Sequence, residues 1–244
     1  MLTLGALGRD AWAGWRRDRE VLTLLAGTFV FLPTFAWLLL VAEPAVPKGA
    51  ANQEVSAILL HWAGANAHWL ALRIAVELFA AAAVLTLYLS RDHRDVGGVL
   101  ARAAALWPMF LVTVIASWGL VMVGIFAFVV PGLYIYGRVA LAGPALIAEP
   151  KLGLAGAIAR SIALTRGHGW QVFGYLGLTI LAGALAVELI DGVGAGLRRA
   201  GAANPVALAM LAAVTAAAVT ATVLARLLLE VALYRRLSAP RHHI

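Results

Sequence analysis

The sequence predicts an all-α integral membrane protein: six transmembrane helices, with amphipathic helices at the cytoplasmic interface. Three observations predict it. Hydrophobic residues make up 63% of the chain and charged residues only 13%, against about 45–50% and about 25% in soluble domains. The apolar residues fall in runs of bilayer-crossing length, about 17–25 residues. The Lys and Arg residues gather on one side of the alternation that those runs create.

Residues 1–20 include LGRDAWAGWRRDRE. Charge throughout and a long following apolar stretch exclude a signal peptide. Trp12 and Trp15 suit the headgroup level while Arg9, Arg16, Arg17 and Arg19 face water, so an amphipathic helix over 5–19 is expected, with a contact-free tail as the alternative. Residues 21–41 form an uncharged first span with a kink expected at Pro33. A mixed loop, 42–67, holds a short interfacial segment at 54–63. The second span, 68–89, carries Arg73 and Glu77. Residues 90–106 are polar and then amphipathic, giving an interfacial helix at 95–106. Spans three and four follow at 107–130 and 133–149, with Pro131-Gly132 as the hairpin between them. Residues 150–169 are again polar and amphipathic, with an interfacial helix at 152–165. The fifth span is 170–190. A Gly-rich loop, 191–205, leads to the sixth, 206–230, and a basic tail. The whole chain, 1–244, reads as a single polytopic membrane domain.

The fourth span is short: seventeen residues at about 1.5 Å reach only about 25 Å against a core of about 30 Å. Charge decides in its favour. With six spans, thirteen of the 19 Lys and Arg lie on the side of the two termini; Lys48, Arg198 and Arg199 lie on the other, and Arg73, Arg138 and Arg226 lie within spans. The positive-inside rule then puts both termini in the cytoplasm. Without span four, six cations would move outward with the second half.

Ionisable residues at membrane depth are costly and so are candidates for function. They are Arg73, Glu77, Arg138, Glu188, Arg226 and Glu230, with Asp191 just beyond span five. Arg73/Glu77 and Arg226/Glu230 are each four apart, on one helix face, where each can bridge locally. The topology puts Arg73, Arg138, Glu188 and Asp191 in one layer of the outer half, so Arg138 should meet Glu188 or Asp191. Glu77 falls near the middle, and Arg226 and Glu230 in the inner half. Three readings of this set stand: a structural network, a polar cavity for an anionic head group or polar solute, and a proton or ion path.

Other patterns point away from catalysis. No HExxH, GxSxG, phosphate-binding loop or dinucleotide fingerprint occurs, and no serine has a partnered base. No metal site, cofactor or catalytic residue is expected. There are no cysteines, so no disulfides or thiolate ligands. His61 and His68 are two ligands without a third. RDHRD at 91–95 and the terminal His242-His243 read as solvated turn and tail. The net charge of +7 lies between apolar runs, so lipid headgroups, not nucleic acid, are the partner expected. Ala209, Ala213, Ala217, Ala221 and Ala225 form a small-residue ridge on span six, for packing within the bundle or for a homodimer seam. In LTRGHGWQVFG, Arg166, Gly167 and Gly169 open span five, as a membrane-entry anchor or an anionic head-group contact.

The run VVPGLYIYGRVALAGPALIAEPKLGLAGAIARSIALTRGHGWQVFGYLGL resembles the core of the glycerophosphoryl diester phosphodiesterase membrane-domain family and of related YciC-like bacterial inner-membrane proteins. The matching positions are Pro131, Gly132, Arg138, Pro144, Glu149, Arg160, Ser161, Leu164, Thr165 and Gly167, and the N-terminal amphipathic helix leading to FLP at 31–33 also fits. The resemblance implies a multi-pass module of the bacterial inner membrane. In fused members the phosphodiesterase chemistry belongs to a separate soluble domain with metal-binding carboxylates and histidines, absent from this sequence, so it implies no hydrolase. The expected function is a non-enzymatic scaffold, accessory or lipid-handling module, working with lipids, other membrane proteins or a second copy. The alternative is a small transporter of solutes or amphiphiles built on the intramembrane Arg/Glu layer; a lipid phosphodiesterase acting within the membrane is the third.

Overall fold

A computed structural model describes residues 3–41, 44, 46–47, 49–90, 95–201 and 204–239. Lys48, Arg91, His93, Arg94, Arg241, His242 and His243 lie outside them. Among the described residues, six helical segments are long and apolar enough to cross a membrane, and the protein is an all-α, six-span membrane protein.

The first segment is a continuous run of helix bent at a kink and a π turn. Helix α1 (Leu4–Ala26) passes through a π turn at Gly27–Phe31 into α2 (Leu32–Leu40). A kink at Asp18, where φ is −117° and ψ is 23°, separates two helical stretches and falls where the interfacial helix expected at 5–19 gives way to the span expected at 21–41. The π turn sits directly before Pro33, whose ring and missing N–H disturb the preceding turn. The front of α1 does not lie free on a surface. Leu7 is fully buried among Leu229, Leu233, Val172 and Leu176, and Asp10 accepts a 2.6 Å hydrogen bond from Arg236. Apolar burial of this kind outweighs the exposed charges on the other face of α1.

Helix α3 (Asn52–Ala65) is the expected short helix of the loop, and Trp62 meets Trp37 edge-on at 6.0 Å. Helix α4 (Ala67–Leu89) is central. Its Ala80–Ala83 run is at most 3% exposed, small side chains that let several helices close around it. Helix α5 (Val96–Ala127) starts at Asp95, whose carboxylate accepts from the Gly98 N–H at 3.0 Å. The amphipathic segment expected as a separate helix at 95–106 is the opening of this single 32-residue helix. Polar side chains on one face do not end a helix, and Pro108 is carried inside it.

Pro131-Gly132 does not make the hairpin. The chain turns at Phe128, which is extended, and helix α6 (Val129–Val139) begins at once, with Pro131 and Gly132 in its first turn. Proline tolerates that position because the N–H groups there have no intrahelical partner. Gly132 is instead a packing residue: a Cβ there would lie 2.6 Å from the Ile125 nitrogen, so its absence lets α5 and α6 touch backbone to backbone.

Helix α7 (Ala142–Ala148) follows a break at Ala140–Leu141, and a 3₁₀ turn at Pro150–Leu152 leads to α8 (Gly153–Leu164). The interfacial helix expected at 152–165 is this one, but it runs back along α7: Ala157 joins the core with Leu146 and Ile147, and Ser161 reaches Arg138 and Leu141. The long pair α9 (Gly169–Arg199) and α10 (Pro205–Ser238) completes the bundle. The two helices approach closely at Gly183, where a Cβ would collide with Thr222.

Candidate functional site

Two polar clusters lie inside the bundle: one is spent on holding the fold together, and the other lines a cavity.

The first cluster is a structural latch across the α6–α7 break. A broken helix leaves backbone groups without partners, which is costly away from water. Ser161 Oγ donates to the Arg138 carbonyl at 2.7 Å and accepts from the Leu141 N–H at 3.1 Å. Thr165 Oγ1 adds a 3.2 Å bond to the same carbonyl. The Arg138 guanidinium answers by donating to the Ile162 carbonyl at 2.7 Å and the Thr165 carbonyl at 3.0 Å, capping the end of α8. It also lies over the Tyr134 ring, 5.8 Å from the centroid.

The expected partners of Arg138, Glu188 and Asp191, are therefore wrong. Gly137 packs on the Gly169 carbonyl at the start of α9. Glu188 is nineteen residues further along α9, about 29 Å at about 1.5 Å per residue. Glu188 and Asp191 are both exposed. The outer-half layer of four charges does not form, because Arg138 belongs with the opposite end of α9.

The residues weighed as a head-group contact take other roles as well. A Cβ at Gly169 would lie 2.9 Å from both the Arg138 Cδ and the Tyr134 ring, so this glycine serves helix packing. Gly167, with φ of 79°, turns the chain between α8 and α9, and Arg166 is exposed. Of the remaining motif positions, Pro144 is buried in α7, and Glu149 accepts from Arg160 at 3.2 Å and from the Tyr234 hydroxyl at 2.9 Å.

The second cluster lines a cavity of about 260 Å³ between α4, α5, α6, α7 and α10. Its polar wall holds Glu77, Ser117, Tyr136, Arg226 and Glu230, and the other walls are largely apolar. The i, i+4 pair on α10 closes as expected, with Arg226 Nε 3.5 Å from Glu230 Oε1. That separation is too long for a good hydrogen bond. Arg226 Nε is buried without a hydrogen-bond partner, and Glu230 is 8% exposed. The pair thus keeps unspent polar capacity facing the cavity.

The Arg73/Glu77 pair does not close. Arg73 turns toward the first span, 5.7 Å from the Trp37 ring centroid, and its Nε is buried without a hydrogen bond. Glu77 is left on the cavity wall as a carboxylate with no ion-pair partner within 4 Å among the described residues. The cavity wall thus carries two carboxylates and one guanidinium.

The cavity reaches the outer apolar face of α5 at Trp118. Met109, Val112, Ile115, Trp118, Met122 and Phe126 are exposed apolar residues at helical spacing along α5, the stripe that such a helix turns to lipid. Trp118 belongs to that stripe, at 49% exposure, and also lines the cavity. Ser117, Trp118 and Tyr136 carry no sequence signal for this role. They sit in apolar runs, and only the packing of α5 against α6 brings them to Glu77.

The alanine ridge on α10 is split. Ala217, Ala221 and Ala225 are exposed, and the last two line an open groove with Trp12 and Trp15 of α1. His61 and His68 are both exposed, and His68 sits beside Trp69.

No protein-family model, curated protein or solved structure matches this chain.

Proposed function

We propose that the protein is a non-catalytic membrane module that draws an amine-bearing amphiphile from the lipid phase into the α4–α5–α6–α10 cavity. The observation that carries this reading is Trp118, exposed on the apolar outer face of α5 and lining a cavity whose wall holds Glu77, a carboxylate with no ion-pair partner within 4 Å among the described residues. Charges within a bilayer face an interior cavity and pair there. Arg226 pairs with Glu230 and reaches Glu77 only through space, so the wall holds one acidic group more than it has cations. An ammonium group entering beside Trp118 supplies the missing cation, and the apolar walls receive the chain that follows.

Glu77→Gln tests this with little change of shape. In nanodiscs of phosphatidylethanolamine and phosphatidylglycerol, the wild type should retain phosphatidylethanolamine through native mass spectrometry. The variant should lose about tenfold or more in retention, as expected for one charge-assisted contact of about 1.5–3 kcal/mol. Equal retention by both proteins sinks the proposal.

Solute transport is the second reading, and one observation favours it. The cavity and a basic pocket at the end of the bundle occupy successive turns of the same helices: Leu85 then Tyr88 on α4, Pro144 then Ile147 on α7, Glu230 then Tyr234 on α10. A water-filled path through both pockets would put water at Ser117, whereas the amphiphile reading puts lipid there.

A further inference from the structure

We infer that the basic pocket is a binding site for a phosphate oxyanion, separate from the amphiphile cavity. The pocket is about 720 Å³ and lies where α4, α5, α8 and α10 converge. Ser90 and Ser238, at the ends of α4 and α10, are on its rim, so it sits where the apolar helices stop. Its floor is well packed: Ile147 is 2% exposed, Tyr234 5% and Tyr88 6%.

Three guanidiniums reach it, Arg102 from α5, Arg160 from α8 and Arg235 from α10, against one carboxylate, Glu149. Glu149 is spent on Arg160 and on the Tyr234 hydroxyl. Arg235 is held inward: one Nη2 bond of 2.6 Å goes to the Tyr88 carbonyl, and the guanidinium lies over the Tyr88 ring. Its other N–H groups stay available. Arg102 makes no hydrogen bond or ion pair among the described residues. Among the described residues neither Arg102 nor Arg235 makes an ion pair, although Arg235 also acts on Asp10 through space, and Glu149 is the one carboxylate lining the pocket.

A plain solvated basic face would be the alternative, and cations on such a face spread apart into water. Here they line a concavity, and one is tied into it. Guanidiniums arriving from different helices suit an oxyanion with several oxygens in three dimensions, which is phosphate, better than a planar carboxylate that a single arginine can clasp. A phospholipid headgroup and a soluble phosphorylated compound share this chemistry.

The test uses the full chain in phosphatidylcholine nanodiscs, in two arms. In the first, phosphatidylglycerol is added and its retention read by native mass spectrometry. In the second, inorganic phosphate is titrated calorimetrically at fixed ionic strength. Wild type should bind in at least one arm, and Arg102→Gln should weaken that binding about tenfold. Arg102→Gln removes no hydrogen bond or ion pair among the described residues, so a nearly unchanged circular-dichroism melt is expected. Arg166→Gln, outside the pocket, and Glu77→Gln should both leave the binding unchanged, which separates this site from the amphiphile cavity. Retention of phosphatidylglycerol identifies a lipid source, and phosphate binding without lipid enrichment identifies a soluble one. No binding in either arm, or equal binding by wild type and Arg102→Gln, overturns the proposal.

Discussion

Arg226→Leu is expected to destabilise the protein by about 3–5 kcal/mol, the cost of stripping one partner from a buried charge pair. Arg226 is the one guanidinium among the residues lining the cavity, and Glu77 and Glu230 both face it there. Without it, two carboxylates share an apolar-walled space with no cation. Leucine fills similar volume, so the loss is electrostatic rather than a packing defect. The double variant Arg226→Leu/Glu230→Leu should recover most of the loss, since replacing a whole buried pair by apolar groups is often neutral. Reversible unfolding in mixed micelles measures both. If the single variant is as stable as wild type, the ion pair does not hold this region together.

Gly137→Ala is expected to loosen the α6–α9 contact and the Arg138 latch beside it. The added Cβ would run into the Gly169 carbonyl oxygen and stand 3.1 Å from the Phe173 Cβ. The first obstacle is backbone and cannot rotate away, so the helices must separate, at about 1–3 kcal/mol or more. Gly174→Ala is the matched control. It lies on α9 with nothing within 4 Å of its added methyl, and helix propensity alone favours alanine there by about 1 kcal/mol. Opposite signs for the two variants in the same unfolding measurement support the packing account. Equal effects contradict it.

The six spans were legible because hydropathy is a sum over twenty residues and survives any one misjudged position. The Arg226/Glu230 pair was legible because both groups sit on one helix four apart, where geometry is local. Glu77 joins them from another helix, and no spacing along the chain encodes that meeting. Arg138 misled for a physical reason. Pairing a buried cation with an acid ignores backbone carbonyls, and the broken and ended helices around Arg138 supply several of them. Pro131-Gly132 misled likewise, since both residues are common at helix ends and equally at home in a first turn packed against a neighbour. Ser161 and Thr165 look like ordinary small polar residues until the α6–α7 break gives their hydroxyls something to satisfy.

The central claim, a cavity open to lipid, is tested most directly by a spin label at Ser117→Cys. The chain has no cysteine, so the label is unique. Collision rates with oxygen, which concentrates in lipid, and with a water-soluble nickel chelate report what reaches the position. The account predicts strong relaxation by oxygen and little by the nickel chelate. Strong relaxation by the nickel chelate would contradict it in favour of an aqueous path, and weak relaxation by both would show a closed core.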